Sequence, residues 1–184
     1  MNIIHHEIGI CGLSCLLCPN YQTNAASRCE GCKSEARMAV GCPFITCAVK
    51  KKGIEFCWDC SESQTCDKWR KHRSAGKKHD SFKCYQSLED DISFILANGI
   101  DKFVEEQQAR ERLLTHMLRE FNEGRSNSYY CIAATILTIN ELKDTINKVD
   151  KESTGLDVEA KSKLMHRALD DIANRNDYYL KLRR

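Results

Sequence analysis

The chain has 184 residues, 42% hydrophobic and 29% charged, with a formal net charge of +2. Those proportions belong to a globular protein with a core to bury and exclude a disordered chain; the charge is too small to point by itself to nucleic acid or an anionic membrane. No segment reaches the ~18 apolar residues of a membrane helix, and the opening MNIIHHEIGICGL lacks the basic and apolar regions of a secretory signal, so a cytoplasmic protein without a membrane partner is the expectation.

The composition departs from average in its 12 cysteines, ten of which lie between Cys11 and Cys66, with only Cys84 and Cys131 beyond. In a reducing compartment crowded thiols are explained by metal rather than by disulfides. The series Cys11, Cys15, Cys18, Cys29, Cys32, Cys42, Cys47, Cys57, Cys60, Cys66 contains three CxxC pairs. Two thiolates three positions apart reach one ion from a tight turn, and tetrahedral zinc needs two such pairs, or one pair plus two single ligands. Cys15, Cys18, Cys29 and Cys32 meet the first pattern, and Gly31 permits the turn that exposes amides to sulfur. Cys47, Cys57, Cys60 and Cys66 form the second expected site, giving two zinc ions. Cys11 and Cys42 are left over, either replacing one of these ligands or packing nearby.

Around the thiols, Pro43 and Gly53 bracket a short helix, PFITCAVKKKG, that carries Cys47. Thr65 is the expected cap of a second helix, running from Cys66 to a stop near Gly76. A segment this short buries little apolar surface, so bound metal supplies much of its folding energy. Eight thiolates and two zinc ions would move the formal charge from +2 to about −2. Lys50, Lys51, Lys52 and the run from Lys68 to Lys78 lie nearby, interleaved with Trp58 and Trp69. A nucleic-acid patch is one reading of them; a solvated helix face is the commoner one and is preferred. Cys11, Cys15 and Cys18 also spell the CxxxCxxC of radical SAM enzymes, but such chemistry sits in a longer strand-helix barrel. An iron-sulfur cluster of another sort, or a thiol redox role, is the alternative to zinc, since thiolate suits both metals.

Residues 87 to 184 read as helices. Ser87 and Asp90 suggest a capping box before a helix through Ile92, Ile95 and Leu96 that stops at Gly99. A longer helix from Asp101 carries Phe103, Val104, Leu113, Leu114, Met117, Leu118 and Phe121 and is expected to end at Gly124. A third, from Asn127 or Ser128, is expected to run unbroken through Ile132, Ile136, Ile139, Leu142, Ile146 and Val149. The last carries Met165, Leu169, Ile172 and Tyr179. The loop of residues 122 to 131 is a candidate anion site, with an ordinary interhelical loop preferred. Cys131 is read as a small buried residue rather than a nucleophile, and His5 and His6 as a surface terminus rather than spare ligands. No catalytic residue is expected.

The strings ICGLSCLLCPNY, CEGC and CPFITCAVKKKGIEFCWDCSESQTCDKW, over residues 10 to about 69, resemble the small cysteine-rich bacterial and archaeal proteins grouped as domain-of-unknown-function family 3795. SFKCYQSLEDDISFILANGIDKFVEEQ and NEGRSNSYYCIAATIL resemble the helical extension of its longer members. The resemblance implies zinc on the ten clustered cysteines. SQTC departs from the family's frequent proline before the last cysteine, altering the turn rather than the ligand. The combined expectation is a mainly α protein: an irregular cysteine-rich zinc module over residues 1–86, then a small helical bundle or hairpins over residues 87–184. Its expected role is that of a binding or adaptor module with structural zinc and an unknown protein partner.

Overall fold

The computed structural model describes residues 3–81 and 83–184, and it is mainly helical. Among the described residues the extended structure is limited to one isolated antiparallel bridge, between Ile8 and Ser14. The cysteine-rich segment is irregular, holding only α1 (Glu35–Val40), a π-helix (Ile45–Lys52), a 3-10 turn (Cys57–Asp59) and α2 (Asp67–Gly76). There follow α3 (Leu88–Asn98), α4 (Ile100–Glu120), α5 (Asn127–Ile136), α6 (Ile139–Glu152) and α7 (Val158–Arg175).

Local chemistry explains where these elements begin and end, and where they depart from expectation. The helix bracketed by Pro43 and Gly53 forms, but as a π-helix over most of its length; Gly53 ends it in the left-handed conformation, φ 63°. Cys66, not Thr65, caps α2, and no side chain satisfies its first amides. Ser87 precedes α3, yet its hydroxyl donates to Asp91 at 2.9 Å instead of closing a capping box with Asp90. The expected single helix from Asn127 to Val149 is two. Thr138 is extended (φ −67°, ψ 155°) and forms a complete capping box with Glu141, which restarts the chain as α6 although the apolar stripe continues. Leu96 and Tyr179, read as core-facing, are 65% and 50% exposed, Tyr179 because α7 ends before it.

The bundle core is built by α4 to α7, where Leu114, Met117, Tyr130, Leu142, Met165 and Leu169 are fully buried. Leu17, from the cysteine-rich segment, is buried in the same cluster, as is Cys84. Full burial of one such side chain stabilises by about 1.5–3 kcal/mol, so Leu17 is one anchor of the segment on the bundle. The other face of the segment packs on α3 and α4. Ile8 and Phe56 meet Ile95 and Phe103, while Leu13 and Trp69 meet Leu88 and Ile92. Helix α3 therefore forms a wall against which the irregular segment folds.

Candidate metal centre

The bridge between Ile8 and Ser14 closes a tight loop, with Gly9 N–H donating to Leu13 O at 2.8 Å and Cys15 N–H to Glu7 O at 2.6 Å. Gly12 at its tip has φ 94°, and a Cβ there would stand 3.3 Å from Ile92 and 3.4 Å from Trp58. Glycine thus lets this loop press against α3, with Cys11 and Cys15 on the wall of a neighbouring cavity. Cys18 follows one turn later, its N–H donating to Cys15 O at 3.0 Å.

Gly31, φ 107°, turns the next CxxC pair so that the Cys32 N–H points at Cys15 Sγ, 3.4 Å away. This is the amide-to-sulfur contact expected of Gly31. The Cys32 thiol also donates to Cys15 sulfur, and this bond, against the effect of burial, lowers the Cys15 thiol to about 6 and raises that of Cys32.

The ten clustered cysteines sort into two adjoining chambers. Cys11, Cys15, Cys18, Cys29, Cys32 and Cys42 line a cavity of about 290 Å³, together with Lys83, Arg37, His72 and Tyr85. Cys47, Cys57, Cys60 and Cys66 line one of about 80 Å³. The four thiols expected to form a second site are therefore brought round one small cavity, and the two left over, Cys11 and Cys42, stand with the first group. Among the described residues no three His, Cys, Asp or Glu side chains are drawn together closely enough to hold an ion as they stand.

The electrostatics of both chambers suit a cation at the thiols and ammonium or guanidinium groups behind them. Burial pushes the Cys57 thiol up to about 12, with the neighbouring Cys11, Cys66, Cys47 and Cys60 adding to the rise; a bound cation relieves this repulsion. Lys52 donates to Cys60 Sγ at 3.1 Å and pairs with Glu62 at 2.8 Å. Lys83 is buried at the larger chamber and donates to Ser14 O at 3.1 Å. Burial disfavours its charge, but the facing Cys15, Cys32, Cys18 and Cys11 outweigh that and keep it protonated. Beside Cys29, the Arg37 guanidinium is likewise held charged by its hydrogen bond to that sulfur. Lys33, its side chain fully buried, pairs with Glu55 at 2.7 Å and lies 3.8 Å over the Phe56 ring, tying the cysteine loop to the residue 4–5 backbone that Glu55 also accepts from.

Other candidate residues stand apart from these chambers. Cys84 and Cys131 are buried in the bundle core, and burial raises both thiols. In the 122–131 loop, Asn122 Oδ1 accepts from Gly124 and Ser126 N–H, while Ser126 Oγ bonds Glu123 and His166, each at 2.7 Å. These bonds brace the loop internally and tie it to α7, as in an interhelical connection. The His5 ring lies tilted beside Phe56, 6.0 Å between centroids, and 3.8 Å from Glu7 and Asp101. Trp69 is buried, and Trp58, partly buried, stacks on Phe56 at 4.3 Å. Lys83, Arg37 and His72 were not legible as site residues; the signal for Lys83 was its place beside Cys84, but only folding brings it to Cys15.

No curated protein and no solved structure matches the chain significantly. Residues 7–71, which hold all ten clustered cysteines, match the family model described as protein of unknown function (DUF3795).

Proposed function

We propose that the chain is a metal-binding protein in which zinc held by cysteine thiolates builds a rigid platform on the helical bundle, serving as a binding or adaptor module. The observation that carries this reading is the small chamber. Four thiols drawn from a π-helix, a 3-10 turn and the cap of α2 surround about 80 Å³, with Lys52 on the sulfur of Cys60. Four thiolates fill the coordination sphere of a tetrahedral ion, so zinc held there by Cys47, Cys57, Cys60 and Cys66 is structural and supplies folding energy. The lean secondary structure of residues 3–66 supports a contribution of bound metal to their folding. The test is elemental analysis of protein purified without chelator, then circular dichroism after exposure to a strong chelator. Bound zinc and loss of structure on its removal are expected. A metal-free protein, or one indifferent to chelation, refutes the reading.

A further inference from the structure

Among the described residues, two buried side-chain polar atoms lack a hydrogen-bond partner, Ser14 Oγ and His72 Nε2. Ser14 borders a void of about 10 Å³ beside Lys83 and Gln107, room for one water. His72 is different. Its ring is held between Phe44, 4.8 Å away by centroids, and the edge of Tyr85 at 5.5 Å, on the wall of the larger cysteine chamber. A buried nitrogen without a partner is costly unless a ligand completes it.

The larger chamber also has more thiols and more room than one ion needs. Its neighbour serves as an internal comparison: four thiols round about 80 Å³ against six round about 290 Å³. We propose that the larger chamber holds a two-ion zinc-thiolate centre formed by its six cysteines and completed by His72 Nε2, so that the chain carries three zinc ions. The coordination count closes. Two tetrahedral ions offer eight positions; six thiolates and one imidazole are seven donors, and a single bridging thiolate fills the eighth. The charge closes as well, since six thiolates with two divalent ions leave two negative charges beside the two cations on this wall, Lys83 and Arg37. His72 and Lys83 lie outside the family match of residues 7–71, so the chain beyond the match completes the centre.

This inference rests on the metal-thiolate reading above, and the experiment separates the two. Zinc per chain is counted by native mass spectrometry on the intact protein, and the ligand sets are read by NMR of the cadmium-substituted form. Three ions are expected in the wild type, two in Cys47→Ser, and a loss confined to the larger chamber in Cys42→Ser. In the cadmium form one resonance should carry the shift of three sulfurs and one nitrogen and move to the all-sulfur range or vanish in His72→Gln. Two ions in all, or resonances unmoved by His72→Gln, overturn the two-ion centre while leaving the small zinc site standing. Iron with visible absorption in the larger chamber also overturns it. A chain without metal sinks both readings together.

Discussion

Replacing Arg183 with methionine tests the clamp that holds the loop carrying Lys83. Asp80 has a fully buried carboxylate that accepts from Arg183 Nε at 3.1 Å, Arg183 Nη2 at 3.2 Å, and the backbone N–H groups of Arg183 at 2.8 Å and Tyr85 at 2.6 Å. The same guanidinium donates to Lys77 O at 3.0 Å and Gly76 O at 2.9 Å, closing the end of α2. Arg183→Met leaves the carboxylate buried with only its two backbone donors. Breaking a buried pair from one side costs about 3–5 kcal/mol, and the surviving donors set the expectation near the lower end, ~3 kcal/mol. Burial pushes the Asp80 carboxyl up, but Arg183 and the N–H groups of Arg183 and Tyr85 outweigh it and hold it below the ordinary carboxylate range. A depressed acid contributes stability that is present above its unfolded value of about 3.9 and lost as pH falls through its folded value. Denaturant unfolding followed by circular dichroism should therefore show the full gap between wild type and Arg183→Met at neutral pH and a closing gap below about pH 4. Asp80→Asn in the Arg183→Met background should recover part of the loss. A cost under about 1 kcal/mol, or a gap that persists unchanged in acid, would refute the reasoning.

Thr138→Ala removes the capping box that separates α5 from α6 and should cost about 1 kcal/mol in thermal or denaturant unfolding; no change would mean the helix break is imposed by packing alone. Asp91 offers an opposite pH signature, because burial raises its carboxyl to about 7 despite the Ser87 hydroxyl and Arg110. A raised acid favours the protonated folded form, so its cost is felt above that value and relieved on acidification. Asp91→Asn should exceed wild type in stability at about pH 8 by a margin that shrinks toward pH 5, and a constant margin would count against burial as the cause. Gly12→Ala combines a positive φ with a Cβ 3.3 Å from Ile92, and should destabilise by about 1–3 kcal/mol with a change in Trp58 fluorescence. Unchanged emission and stability would show that the loop has room to move off α3.

What the sequence determined by itself lay in short-range pattern. The CxxC pairs, the turn at Gly31, the stop at Gly53 and the apolar stripes of α4 and α7 are local features, each decided by residues within a few positions of one another. The break at Thr138 was also written locally, as Thr-x-x-Glu, but a continuous stripe from Ile132 to Val149 masked it, because periodicity reports which face is buried and not whether the backbone is unbroken. The spacing also grouped eight of the ten thiols as the chambers hold them, and only the tertiary structure decided where Cys11 and Cys42 stand and which cations face the sulfurs. Cys15 meets Cys32 across a separation of 17 positions, and Lys83 reaches Ser14 across 69. Those encounters depend on Leu13 and Trp69 packing against α3, and on Leu17 entering the bundle. No local signal assigns Cys11 or Cys42 to a side, or marks His72 as a residue of the larger chamber's wall. Their neighbours are chosen by the burial of apolar surface far along the chain, a property of the whole fold rather than of any spacing.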